Sequence, residues 1–439
     1  MTNIKDAAKA EHLLVLVHGL WGKPLHLQQL KDTIEAQHPD GRLHVILPNS
    51  TAEYLTYDGI ELGGERVTNE IEERIKELED AGAKLTKISV AGYSLGGVIA
   101  RYAIGLLYKN GVFDRLQPVN FTTFATPHLG VRTPTTGFGG NFWNNVGSRT
   151  LSTTGAQIFL SDTFRDSGKP LFAVLADPSS IFIRGLQLFS KKSVYANTIN
   201  DRSVPYYTSC ISRTDPFVDL DAVDLHYLPG QEVILDPTNP VTPRTGDKQA
   251  LTLYERTSRS LTDVPFYAVL TLLLPIGATF FFVNAGYQTY KSAQRVRLYE
   301  QGKGGFAFSR YRIPLLEQSQ AMQDRMYERL SNQNEQFLPT PPPEPASSAS
   351  SIKSSRLSTD EKEMSKQQSA KEDSPFPILA LTKEQFDMID GLNGVGLTKY
   401  SCHISKVRHT HAAIVVRSQR ASFAEGKVVS AHWAEHFQL

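Results

Sequence analysis

The 439-residue sequence predicts an α/β fold, a mostly parallel sheet covered by helices on both faces. Three observations predict it. Short apolar runs alternate with helix-like stretches through the first half of the chain. One of those runs, Ile88–Ala91, leads through Gly92-Tyr93-Ser94-Leu95-Gly96-Gly97 directly into an apolar helical pattern. The first run, Leu13–Val17, ends in the turn His18-Gly19-Leu20-Trp21-Gly22.

In order, Leu13–Val17 is a continuous apolar run and hence a buried strand. A helix over Pro24–Gln37, a strand over Leu43–Leu47 and a long charged helix near Gly64–Gly82 follow. Then come strand Lys87–Ala91, helix Gly96–Tyr108 and strand Val119–Ala125. Residues 131–192 break the alternation. They are rich in Gly, Thr and Asn at first and apolar later, as suits a cap over the sheet, although helices packed on the core would read the same way. Ser193–Ile199 reads as a late sheet strand and Tyr400–Val407 as the last.

The pattern Gly92-x-Ser94-x-Gly96, with a strand before it and a helix after it, is the nucleophile elbow of an α/β-hydrolase. The turn is so sharp that side chains at the flanking positions would collide, and glycine removes them. In this fold the partners follow in the order serine, acid, histidine. Asp201 lies on the turn just past Ser193–Ile199, where a carboxylate can reach an imidazole above the sheet edge. Asp215, Asp219, Asp221 and Asp224 compete from an acidic loop with no clear strand before it. For the base, His411 borders the apolar segment Ala412–Val416 after the last strand and is preferred, with His409 second. His226 sits in the acidic loop, and His432 beside Trp433 reads as a packing residue. The oxyanion donors are assigned to the backbone N–H groups of Leu20 and Leu95. His18 precedes the nucleophile on the oxyanion turn and is read as a brace for that loop.

Five motifs together carry a family resemblance: HGLWG (His18–Gly22), GYSLGG (Gly92–Gly97), FATPHLG (Phe124–Gly130), NDRSVP (Asn200–Pro205) and HTHAAIVVR (His409–Arg417). The chain resembles the fungal "putative serine esterase" family over about 10–215 and 376–435, and most closely its lipid-droplet phospholipase branch. The resemblance implies an α/β-hydrolase with a Ser-Asp-His triad on Ser94, Asp201 and His411 that removes acyl chains from phospholipids without a cofactor. His128 of the PHLG turn precedes the acid and is read as structural.

Composition bounds the rest. A net charge of +1 implies no nucleic-acid partner. Two cysteines, Cys210 and Cys402, are too few for a disulfide framework, and Met1–Glu11 lacks the apolar core of a signal peptide, so an intracellular protein is expected. No metal-ligand spacing or phosphate loop occurs in the sequence.

Val264–Val283 contains no charge over twenty residues, which is enough to span a bilayer as one helix. Ser94 precedes it and His411 follows it, however, so a single span would separate them. With Pro275 near its middle, it is read as a re-entrant hairpin or interfacial helix pair. Each leg of about ten residues reaches roughly 15 Å, the depth of one leaflet. Residues 338–375, Pro-rich then Ser-rich, read as a disordered linker. The expected organisation is therefore a hydrolase core over 10–215 with its cap at 131–192, an insertion over 216–337, the linker over 338–375, and completion of the core by 376–439. The expected setting is a lipid-droplet or endoplasmic-reticulum surface, with the core facing the cytosol and a phospholipid as substrate. An acyl-protein thioesterase, an acyltransferase and a catalytically idle lipid-surface tether are the alternatives.

Overall fold

A computed structural model describes residues 8–131, 151–244, 283–299, 301 and 375–439. Nineteen of the twenty residues of the apolar run 264–283 and almost all of the linker 338–375 lie outside these residues, as does 132–150 of the expected cap.

Six strands form one sheet: β1 (His12–Val17), β2 (Leu43–Ile46), β3 (Lys87–Tyr93), β4 (Gln117–Phe124), β5 (Lys191–Asn197) and β8 (Thr398–Cys402). A small antiparallel ribbon, β6 (Val223–Leu225) with β7 (Val241–Pro243), lies apart from it. The order in the main sheet is β2-β1-β3-β4-β5-β8, and every pair is parallel. Parallel strands need crossovers, and the helices supply them. These are α1 (Gln28–Gln37), α2 (Ile60–Asp80), α3 (Leu95–Lys109), α4 (Ser152–Ile158), α5 (Leu171–Ala176), α6 (Ile181–Gln187), α7 (Tyr206–Ser209), α8 (283–299), α9 (Lys383–Asn393), α10 (Thr410–Ala413) and α11 (Ala424–Glu435).

β1 and β2 are buried along their whole length and read as largely apolar runs for that reason. One core lies between the sheet and α2, α3, α5, α6 and α9, with Val15, Val90, Ile99, Leu107, Phe172, Ile183 and Ile389 inside it. The other lies between the opposite face and α1 and α11, around Leu16, Ile34, Tyr93, Phe124, Val415 and Trp433. The sheet thus has the helix-covered, parallel, elbow-bearing architecture of an α/β-hydrolase.

Three sequence expectations change. The charged helix starts at Ile60, before Gly63 and Gly64, because those glycines are a packing device rather than a break. A Cβ on Gly64 would lie 2.4 Å from Cδ1 of Tyr102, so glycine lets α2 lie close against α3. The last strand runs over 398–402, not 400–407. Beyond it the N–H groups of Ser405 and Lys406 donate to the carboxylate of Glu425 on α11, which takes them out of any ladder. The described part of the expected cap, 151–190, packs as short helices. Phe182, Ile183 and Leu186 of α6 are buried in the core beside α3. At α4, Thr154 and Gln157 accept the N–H groups of Gly59 and Ile60 and so cap α2.

β5 and β8 are hydrogen-bonded neighbours, from Ser193↔Thr398 to Asn197↔Cys402. The chain between them therefore leaves and returns to the same sheet. That pairing does not depend on which histidine is the base. Among the described residues no helix is long and apolar enough to cross a membrane.

Gly426 shows how tightly the C-terminal part is fitted. A Cβ there would sit 1.7 Å from the carbonyl oxygen of Ala413, a backbone atom of α10 that cannot rotate aside. Gly426→Ala is expected to destabilise the protein by about 1–3 kcal/mol. A thermal melt of the two proteins checks this, and an unchanged midpoint would show that α10 and α11 separate freely.

Candidate active site

Ser94 stands between β3 and α3 with φ 55° and ψ −131°, a conformation rarely adopted by a residue with a side chain. Its N–H donates to the carbonyl of Phe124 on the neighbouring strand, 2.9 Å away, which helps to hold the turn. The flanking glycines are required by space. A Cβ on Gly92 would lie 2.4 Å from Cα of Gly97, and one on Gly96 2.2 Å from the carbonyl oxygen of Val17. The strain at Ser94 thus has a cause: the elbow forces the hydroxyl out at the carboxyl end of β3.

The structure brings His411 to it. Nε2 of His411 is 3.0 Å from Oγ of Ser94, and Nδ1 is 2.9 Å from Oδ2 of Asp201. A carboxylate can only accept, so Nδ1 carries the proton and Nε2 presents its lone pair to the serine hydroxyl, which donates. His411 is the second residue of α10, whose position is set by two further bonds. Oγ1 of Thr410 donates to the carbonyl of Ile199, and the hydroxyl of Tyr93 donates to the carbonyl of His411, each over 2.9 Å. The rings of Tyr93 and His411 are 5.1 Å apart.

Asp201 is buried and fully engaged. Oδ1 accepts from the N–H groups of Ser203 (3.1 Å) and Val204 (2.8 Å), and Oδ2 accepts from Nδ2 of Asn197 (2.8 Å) as well as from His411. It is therefore both an Asx-turn residue and the orienter of an imidazole. Asn200 before it has φ 57°, a left-handed conformation that asparagine tolerates, and it turns the chain sharply after β5.

The first oxyanion turn lies against the nucleophile. A Cβ on Gly19 would be 2.7 Å from Cβ and 3.2 Å from Oγ of Ser94. Among the described residues, the N–H groups of Leu20 and Leu95 donate to no protein acceptor. Trp21 beside Leu20 has φ 51°, and its N–H donates to Oγ1 of Thr56 at 3.2 Å. Glu53 N–H donates to the carbonyl of Gly22 at 2.8 Å. The turn is thus held in a strained shape from the 3-10 segment Glu53–Tyr57.

The remaining candidates are elsewhere. His18 is buried, with Nδ1 3.1 Å from the carbonyl oxygen of Gly19, and burial lowers its pKa to about 4. His409 is the N-cap residue of α10. His226 bonds Oγ1 of Thr242 across the small ribbon at 2.9 Å. His432 bonds the Tyr195 hydroxyl at 2.9 Å, and burial, with His436 beside it, lowers its pKa to about 4. Asp215 and Asp219 cap 3-10 turns, and Asp224 pairs with Arg244. His128 is buried below the elbow helix, with Nε2 2.9 Å from Oγ1 of Thr123. Burial, and Arg101 next to it, hold its pKa well below the usual histidine range.

Sequence reasoning passed over Asn197, Tyr93 and Thr56. Asn197 ends β5 four residues before the acid, and a polar residue at that place was the available signal. Tyr93 adjoins the nucleophile. Nothing in the sequence pairs Thr56 with a turn 35 residues earlier.

Comparison with known proteins places this geometry. Residues 7–213 match the family model described as "Putative serine esterase (DUF676)". The match to this serine esterase family covers just under half of the chain. It contains Ser94, Asp201 and the HGLWG turn, whereas His411 lies beyond it. The chain is 28% identical over 218 residues to "Putative lipase C4A8.10" of Schizosaccharomyces pombe, covering 46% of this chain and 26% of the relative. It is 31% identical over 213 residues to "Putative lipase ROG1" of Saccharomyces cerevisiae, covering 47% and 30%. The chain therefore spans between a quarter and a third of the length of these curated relatives. Among solved structures, phospholipase PlaB from Legionella pneumophila is 16% identical with a TM-score of 0.29, over 45% of this chain and 40% of that one. The RedJ thioesterase of Streptomyces coelicolor is 16% identical with a TM-score of 0.26, over 46% and 72%.

Buried neutral histidines of the esterase core make one prediction. Burial lowers His12 to about 3 and His18 to about 4, while an unfolded histidine titrates near 6.5. Between those values the unfolded chain binds protons that the folded one refuses, so stability falls as pH drops below 6.5. From pH 6.5 to pH 5 each of the two removes about 2 kcal/mol. Melting temperature against pH should therefore drop steeply below neutrality, with a shallower slope in His12→Asn. An equal slope in both proteins would show that His12 is not held neutral.

Proposed function

We propose that this protein is a serine hydrolase that cleaves acyl ester bonds of glycerophospholipids at a lipid-droplet or endoplasmic-reticulum surface, with its core on the cytosolic side. The single observation that carries the hydrolase reading is the continuous chain Ser94–His411–Asp201, with contacts of 3.0 and 2.9 Å. The match of 7–213 to a serine esterase family model supports the same reading.

His411 takes the proton of Ser94 through Nε2 as Oγ attacks the acyl carbonyl. The developing oxyanion accepts from the N–H groups of Leu20 and Leu95, which have no protein acceptor among the described residues. The carbon–oxygen bond to the alcohol breaks, and His411 returns the proton to that oxygen. Water, deprotonated by His411, then attacks the acyl-enzyme and releases the fatty acid. Asp201 keeps the imidazole in the required tautomer and stabilises its charge throughout. No step calls for a cofactor.

The phospholipid substrate is supported by the charge-free run 264–283, which the sequence places between β5 and β8 and whose length suits a one-leaflet insertion. The test is labelling of Ser94 by a fluorophosphonate, followed by fatty acid release from pure phospholipid vesicles in water. Labelling with release supports the phospholipase. Labelling without release in lipid, but with deacylation of an acylated protein or transfer to an added alcohol, moves the assignment to a thioesterase or acyltransferase. A protein that neither labels nor turns over any ester is the idle tether.

A further inference from the structure

Helix α8 is built the wrong way round for a helix that merely covers a core. Its inward face is polar: Asn284, Gln288 and Ser292 are buried, at spacings of four residues, and Arg295 follows on the same side. Its outward face carries Val283, Tyr287, Tyr290 and Leu298, which are 67%, 38%, 61% and 42% exposed, together with exposed Arg297. The ammonium of Lys291 sits 5.8 Å from the ring of Tyr287.

The inward face is firmly attached. The guanidinium of Arg295 donates to both oxygens of Asp58, with contacts of 2.6 to 3.0 Å, and to the carbonyl of Tyr54 at 3.2 Å. Asp58 is buried and holds Arg66 as well, at 2.9 Å. Tyr54 and Asp58 belong to the same 3-10 turn whose Thr56 and Glu53 brace the oxyanion turn at Trp21 and Gly22. Whatever the outer face of α8 touches is thus held one turn of chain away from the catalytic loop.

We propose that the outer face of α8 is a docking surface for an anionic phospholipid surface. Exposed tyrosines beside arginine and lysine are the composition that settles at the headgroup level of a membrane, where the ring is half apolar and the cations meet lipid phosphate and carboxylate. In the sequence the uncharged run 264–283 ends at the first residue of this helix. This inference deepens the hydrolase reading and rests on it for its purpose, but it is measured separately.

The experiment uses the full chain. Flotation is measured with vesicles of phosphatidylcholine alone and of phosphatidylcholine with phosphatidylserine. Turnover of a water-soluble short-chain ester is followed in parallel. The variants are Tyr287→Ser with Tyr290→Ser, Arg297→Glu, and Leu188→Ser as a control at an exposed apolar residue elsewhere. The wild type is expected to favour the anionic vesicles. The tyrosine pair should weaken partitioning about tenfold, and Arg297→Glu by roughly thirtyfold on anionic vesicles. Leu188→Ser should change neither, and soluble-ester turnover should stay within about twofold in all of them. Wild-type partitioning by both α8 variants overturns the proposal. So does a lipid-free dimer that the tyrosine variant converts to monomer, because the face then belongs to a second copy. If the wild type floats as described but never turns over the soluble ester, the hydrolase reading fails and the docking surface stands.

Discussion

Ser94→Ala and His411→Ala are each expected to lower ester turnover by several orders of magnitude, on the order of 10⁶ in kcat where the triad acts as a unit. The double variant should be little worse than either single one, because removing one member already disables the other. KM should change little, since neither residue is asked to bind the acyl chain. Ser94→Ala also relieves none of the backbone strain, so its fold is a fair control, checked by an unchanged melting temperature. The informative contrast is His411→Ala against His409→Ala. If His409→Ala were dead and His411→Ala active, the 3.0 Å contact to Ser94 would be idle and the mechanism would need another base. The pairing of β5 with β8 would survive even so, because it does not depend on the base.

The second large effect is expected at Asp201. Asp201→Asn keeps the size of the side chain, but its amide can present N–H to Nδ1 of His411. The imidazole then carries its proton on Nε2, facing Ser94, where it cannot accept. A loss on the order of 10⁴ in kcat is expected, as in serine-protease triads with the same change. Because Oδ1 accepts from the N–H groups of Ser203 and Val204, the asparagine can keep its carbonyl there and retain the turn. Stability should therefore move far less than rate. Asn197→Ala removes one donor to the carboxylate and should act in the same direction, more weakly. Steady-state rates over a range of pH, with melts in parallel, measure all of these. An Asp201→Asn enzyme within about tenfold of wild type would reduce Asp201 to a turn residue.

The elements carrying the chemistry were legible because each is a local pattern. A parallel strand buried on both faces must be an apolar run, and the elbow must carry glycines where backbone meets backbone; both requirements are written at consecutive positions around Ser94. Asp201 was legible for a related reason, since it closes an Asx turn directly after a strand. Errors arose where a distant neighbour decided. Gly63 and Gly64 look like helix breakers until Ile99 and Tyr102 are seen against them. Ser405 and Lys406 look extended until Glu425 takes their N–H groups.

Sequence alone, then, determined the fold class, the nucleophile and the acid with its turn, because these depend on residues within a few positions of one another. The sequence preferred His411 with His409 second, and the tertiary structure puts the imidazole of His411 within hydrogen-bond reach of residues 317 and 210 positions away. It alone tied Arg295 to Asp58 and showed α8 with its polar face inward. Short-range patterning records what a segment must bury, but the partner against which it is buried is fixed by three-dimensional packing, and no periodicity along the chain encodes that distance.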